Sequence, residues 1–202
     1  MPTNTATLDL TMNLAGRTFT GKRAPTADGE ALYTPATNLG KAGTITTGTV
    51  TLAEGHGFTN SDVVDVFWAA GSRTGCVVGS AGSTTLALTG GTGDTLPTGG
   101  TAVTLTEIVT VTCPITAANL AALAAACTSR ALVSFIEGDA TEHPFDIAAG
   151  EALMWDSSSN LANPLSGLTI ATVTVSTDAT TADSETGVGP RVYLGTLHDS
   201  TP

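Results

Sequence analysis

Strict alternation opens the pattern. Ala6, Leu8, Leu10, Met12 and Leu14 are apolar, while Thr7, Asp9, Thr11 and Asn13 between them are polar. A period of two is the mark of a half-buried β-strand, because successive side chains leave opposite faces. From Ala15 to Gly43 the alternation lapses into a stretch holding Pro25, Pro35, several glycines and both lysines, Lys22 and Lys41. So long an unpatterned stretch is uncommon inside a compact domain. It reads either as a surface loop or as an arm that orders against a neighbouring subunit. Residues 1–43 are therefore expected to form an N-terminal strand and an extended arm.

Short apolar runs separated by turn clusters follow over residues 44–107. Ile45, Val50 and Leu52 mark a first strand, and Val63, Val64, Val66 and Phe67 a second that ends at Trp68. Gly75–Gly79 and Thr84–Leu88 are the next two. A glycine-rich loop at 90–94 precedes the last, Ala102–Thr106. Five strands at this spacing predict a small SH3-like or OB-like barrel.

Residues 108–202 read as an antiparallel β-sandwich domain carrying one helix at about 116–127. The helix rests on the alanine-rich run from Ala117 to Cys127, with Thr116 as N-cap and Leu120, Leu123, Ala124 and Cys127 on one face. Strands are expected at 131–136, near 145–147, at 152–155, at 168–175 and at 191–197. A loop over 178–189 joins the last two. The overall expectation is a mainly β chain: arm, barrel, then sandwich.

Composition narrows the function classes. The 202 residues carry 18 acidic and 7 basic side chains, a net charge of −11, so no basic face is available to neutralise phosphates. Nucleic acid and anionic membrane are accordingly not expected as partners. Apolar content of 41% fits a packed chain rather than a disordered one. No run approaches a membrane span, and the N-terminus shows neither a basic n-region nor an apolar h-region. Cys76, Cys113 and Cys127 lack paired spacing and read as small buried thiols in a chain made in a reducing cytosol.

Candidate chemistry is sparse. Asp139, Glu142, His143 and Asp146 offer four candidate metal ligands in eight positions, but Pro144 interrupts them and an exposed acidic turn is the better reading. The acidic loop with Asp178, Asp183 and Glu185 lacks calcium-loop spacing. The glycines at 90–93 lack a phosphate-loop lysine, and no nucleophile-and-base set is legible around His56, His143 or His198. No catalytic residue, metal site or cofactor is expected, and the chain does not read as an enzyme. Trp68 and Trp155 read as core residues, with a sugar platform as the sharper alternative.

One motif stands out. His56-Gly57-Phe58, followed by Asp62 and Val64, resembles the His-Gly-apolar-x-x-x-Asp-x-Val lead-in to a β-hairpin that recurs in virion proteins of tailed bacteriophages. In it the glycine permits the turn, Phe58 anchors it and Asp62 caps it. The resemblance implies a structural virion component, most like the capsid decoration (cement) class. Such a protein would be made in the host cytoplasm and sit on the outer capsid surface. Its partners would be the major capsid protein and further copies of itself, as a homotrimer. A tail or fibre component, or a receptor- or carbohydrate-recognition module, is the alternative.

Overall fold

The computed structural model describes residues 8–14, 17–23, 30–33, 39–111, 120–127, 129–156, 161–181 and 192–198. Every regular element among them is a β-strand. β1 (Leu8–Leu14) and β2 (Arg17–Arg23) form a two-stranded ribbon. β3 (Glu30–Tyr33) follows. So part of the stretch expected to be an unpatterned loop or arm is paired strand.

A closed antiparallel barrel comes next. Its strands are β4 (Lys41–Thr46), β5 (Thr49–Leu52), β6 (Val63–Trp68), β7 (Gly71–Ala81), β8 (Thr85–Gly93) and β9 (Thr101–Glu107), in the order β4-β5-β8-β7-β6-β9. Ile45, Val50, Val64, Val66, Leu86 and Leu105 fill its interior without exposure to solvent. The barrel has six strands where five were expected, because the run from Ile45 to Leu52 is a hairpin. Thr47 (φ 48°) and Gly48 (φ 75°) both take the left-handed backbone of a two-residue hairpin turn. Threonine stands where asparagine or aspartate normally announces such a turn, so the two strands read as one. The expected glycine loop at 90–94 also differs: β8 continues to Gly93, paired with Arg73 of β7.

The remaining strands are β10 (Val109–Val111), β11 (Leu120–Cys127), β12 (Ala131–Glu137), β13 (Glu142–Ile147), β14 (Ala152–Asp156), β15 (Ile170–Thr177) and β16 (Val192–His198). They form two four-stranded antiparallel sheets, β10-β15-β12-β13 and β14-β11-β16-β3. One hydrophobic cluster joins them. Val133, Phe135, Val173 and Val175 come from the first sheet, and Leu123, Ala125, Cys127, Trp155, Val192 and Leu194 from the second.

The expected helix at about 116–127 is corrected over 120–127, which is strand β11. Residues 116–119 lie outside the described residues. β11 is an inner strand, hydrogen-bonded to β14 on one side and β16 on the other. Leu123, Ala125 and Cys127 alternate into the core at 1%, 0% and 0% exposure. A bulge between Leu120 and Ala122 then shifts the phase, so Leu120 is buried as well. The bulge turns a spacing of two into the three-residue spacing of Leu120 and Leu123, which imitates a helical face. Backbone pairing on both sides and core packing override the alanine propensity.

Barrel and sheets meet through the sheet β10-β15-β12-β13. Its strands β12 and β15 approach β7 and β9. β6, β12 and β15 are therefore covered on both faces. In β6, Val64 and Val66 point into the barrel, while Asp65 and Phe67, 2% exposed each, belong to neither core cluster and lie outside the barrel wall. Leu132 of β12, also 2% exposed, is likewise in neither cluster.

Candidate functional site

The joint between barrel and sheets concentrates the buried polar chemistry of the described residues. Asp65 sits at its centre. Its Oδ1 accepts a hydrogen bond from the Gly75 amide at 2.9 Å, and its Oδ2 accepts one from the Ser176 hydroxyl of β15. Beside it, the Thr106 hydroxyl of β9 donates to the Thr177 carbonyl at 2.6 Å. The Gly40 amide, just before β4, donates to the Ala179 carbonyl at 2.8 Å. These bonds tie three barrel segments to β15 and the residues after it.

Arg130, just before β12, closes the other end. Its Nε and Nη2 grip the two carboxylate oxygens of Asp146 on β13, the first at 2.8 Å, and its Nη1 donates to the Trp68 carbonyl at 2.6 Å. The guanidinium carbon also lies 5.8 Å from the centre of the Phe67 ring, a cation–π distance. The Ser72 hydroxyl donates to Asp146 at 2.6 Å, so one carboxylate links Arg130 to strand β7. A planar, two-pronged donor suits this place because it fixes orientation as well as distance.

The joint carries more acid than base. Burial drives Asp65 above the usual carboxylate range, outweighing the bonds from Ser176, Thr74 and Gly75. Burial also raises Glu142, and the nearby charge of Asp65 adds to the effect; Oε2 of Glu142 is buried with no hydrogen-bond partner. Asp178 rises through burial, against the pull of Arg130. At Asp146, burial pushes upward too, but the bonds from Arg130 and Ser72 outweigh it and hold the group below its ordinary value.

The pH dependence follows from these directions. A carboxyl raised in the fold binds its proton more tightly there than in the unfolded chain, so its contribution to stability improves as pH falls from above its raised value. A lowered carboxyl contributes stability that is lost as pH falls below its ordinary value. The thermal midpoint is therefore expected to rise as pH falls from 8 toward the ordinary carboxylate range and to drop again below about pH 4. Loss of net negative charge also favours the compact state on acidification, so the discriminating measurement is Asp65→Asn. Its melting temperature should exceed that of the natural chain at pH 8, and the gap should narrow as pH falls. Parallel curves across the range would refute the assignment.

Two cavities open at the joint. One of about 510 Å³ is lined by Asp62, Val63, Glu107, Ile108, Ile136 and Glu142, among others. A smaller one of about 180 Å³ lies between Ser72, Thr74 and Asp94 of the barrel and Leu132, Pro144 and Asp146 of the sheet.

Of the residues singled out from sequence, Asp62 lines the larger cavity, while the others build the turn and the barrel core behind it. Gly57 takes a left-handed φ of 90°, the backbone that lets the chain reverse, and Phe58 enters the barrel core at 6% exposure. His56 stacks on Phe58 with ring centres 5.8 Å apart. Its Nε2 lies 3.0 Å from the Gly82 carbonyl and its Nδ1 accepts the Phe58 amide at 3.1 Å, so the tautomer that satisfies both bonds carries its proton on Nε2. Asp62 accepts from the Thr59 amide at 2.6 Å and the Thr59 hydroxyl at 2.9 Å, and Val64 is fully buried in the barrel.

Other candidates are dispersed. Strand alternation on β13 sends Glu142 and Asp146 toward the barrel, whereas His143 pairs with Glu137 at 2.8 Å. Asp139 caps the Thr141 amide. Among the described residues no three His, Cys, Asp or Glu side chains gather as a metal set. Trp155 is buried and donates through Nε1 to the Leu161 carbonyl at 3.0 Å, while Trp68 packs half-buried against the barrel core. Cys76 and Cys127 are free and buried, with burial pushing their thiols up to about 11 and about 12. Cys113, Asp183, Glu185 and the side chain of His198 lie outside the described residues. Also among the described residues, no helix is long and apolar enough to cross a membrane.

The sequence reading missed Asp65, Ser176, Arg130 and Asp146 as one unit. One signal was present: an aspartate inside the apolar run Val63–Trp68, which alternation alone would place on a solvent face. Comparison with protein-family models, curated proteins and solved structures found no match to this chain.

Proposed function

We propose that this chain is a virion structural protein that binds the outer surface of a tailed-bacteriophage capsid and stabilises its lattice as a decoration protein. The observation that carries the reading is the outer wall of the barrel. Thr44 pairs with Thr51, Thr46 with Thr49 and Thr51 with Thr85, and all five side chains are exposed. This gives an uncharged, hydroxyl-bearing sheet surface. Such a surface approaches another protein with little desolvation cost, and many copies on a lattice turn modest contacts into high avidity. The joint supports the reading by holding barrel and sheets as one stiff body, which lets load on one be carried by the other. The net charge of −11 suits the outside of a shell packed with nucleic acid.

Particles assembled with and without the protein test the proposal. Those lacking it should lose integrity at lower temperature or milder osmotic shock, with unchanged genome content at assembly. Thr51→Arg, placed in the middle of the threonine surface, should leave the melting temperature of the isolated chain nearly unchanged and weaken particle binding. Equally robust particles that fail to adsorb to cells would refute decoration and favour receptor recognition.

A further inference from the structure

The larger cavity at the joint holds more oxygen than the chain's own bonds use. Glu142 of β13 lines it, with its carboxylate set against the backbone of Gly75, where a Cβ would lie 3.0 Å from Oε1 and 3.3 Å from Oε2. Thr74 is the donor beside this carboxylate, yet Oε2 is shut off from solvent with no hydrogen-bond partner. Thr174 of β15 lines the same cavity at 7% exposure, and its hydroxyl bonds to no described residue. Ser134 of β12 stands directly opposite Thr174 in the register at 1% exposure, and its Oγ is unpartnered too. Buried polar atoms left without partners are costly, so three of them beside one cavity call for a donor from outside the chain.

The charge of the walls selects that donor. Asp62 and Glu107 are the other ionisable residues of the lining, which contains no lysine, arginine or histidine. Both oxygens of Asp62 already accept from Thr59, so it contributes charge rather than a free acceptor, whereas Glu107 is exposed at the rim. Among the described residues no three acidic, histidine or cysteine side chains gather around one point as a metal ion requires. The acids are spread instead around a cavity of about 510 Å³, within the size range of small-molecule sites. Val63, Ile108 and Ile136 supply apolar wall among them. Separated negative charges with apolar surface between match a flexible cation whose ammonium groups are joined by methylenes.

We infer that this cavity binds an aliphatic diamine. One ammonium donates to Glu142 Oε2 and the Thr174 hydroxyl, the methylenes lie on Val63, Ile108 and Ile136, and the second ammonium faces Glu107. A ligand so placed bridges β9 of the barrel to β13 and β15 of the sheet and stiffens the joint. The site stands independently of whether the chain decorates a capsid.

Titration of the full-length chain with putrescine tests it, at low ionic strength because salt screens such contacts. Saturable one-to-one binding is expected, with shifts of the Val63, Ile108 and Ile136 methyl signals in NMR spectra. Butylamine, with a single ammonium, should bind about tenfold more weakly, and putrescine should lose about tenfold on Glu142→Gln, since each removes a charge-assisted hydrogen bond. Glu107→Gln should abolish the advantage of putrescine over butylamine, and Thr174→Val should weaken both amines. Glu151→Gln makes the same charge change outside the cavity and should leave binding unaltered. Melting curves without ligand establish that each variant folds; if Glu142→Gln does not, Glu107→Gln and the methyl shifts decide. Equal weakening by Glu151→Gln would reduce the effect to general attraction by an acidic chain and overturn the site. So would equal methyl shifts with magnesium, or a lysine-containing peptide binding more tightly than putrescine, which would give the cavity to a metal ion or to a protein partner. Absence of saturable binding would overturn it outright. Putrescine binding by a chain that fails to bind particles would refute decoration alone, and particle binding without putrescine binding would refute this site alone.

Discussion

Phe67→Ala is expected to destabilise the folded chain by about 3–5 kcal/mol, the range for removing a buried phenylalanine. The ring is 2% exposed yet lies outside the barrel cluster, so the void would open between barrel and sheet and not inside either core. The consequence differs from that of an interior cut such as Val66→Ala. Losing Phe67 also removes the aromatic face under Arg130. Amide hydrogen exchange should speed first along β6, β7, β12 and β15, while β5, opposite β6 in the barrel order, keeps most of its protection. Uniform loss of protection across the barrel would show instead that joint and barrel melt together.

Arg130→Ala is expected to cost about 2–4 kcal/mol at neutral pH. Three contacts go at once: the two-pronged grip on Asp146, the bond to the Trp68 carbonyl and the packing on Phe67. The carboxylate of Asp146 is then left with Ser72, in a joint that already holds Asp65, Glu142 and Asp178. The side chains of Arg130 and Asp146 are 20% and 33% exposed, so water recovers part of the loss and the figure stays below that for a fully buried pair. Asp146→Asn on the Arg130→Ala background should return part of the stability, because it removes the unpaired charge while keeping an acceptor for Ser72. Denaturant melts of the single and double variants measure the coupling. Simple additivity of the two changes would sink this account of the joint.

Much of the architecture is legible along the chain. Alternation at Leu8–Leu14 and the apolar runs from Ile45 to Thr106 locate strands because period two is a local property of an extended backbone with one wet face. The turn at His56, Gly57, Phe58 and Asp62 combines local bonds to Phe58 and Thr59 with one from His56 to the Gly82 carbonyl, 26 positions away, which no local rule announces. Legibility fails where the local rule is broken by a partner elsewhere. Thr47-Gly48 makes a tight hairpin with threonine in place of the usual asparagine or aspartate, and a bulge at Leu120–Ala122 gives a central strand the spacing of a helix.

The sequence by itself determined that this chain is mainly β, acidic and packed, with a small barrel whose core residues can be named. Only the tertiary structure decided that β6, β12 and β15 are covered on both faces, and with that the joint. Alternation reports one buried face per strand, so a strand with two covered faces carries no internal sign of which neighbour covers the second. Asp65 and Ser176 meet across 111 positions of sequence, and neither residue carries a mark of the other. Their pairing exists because folding removes both from water at the same place, where a buried carboxylate without a donor would be costly.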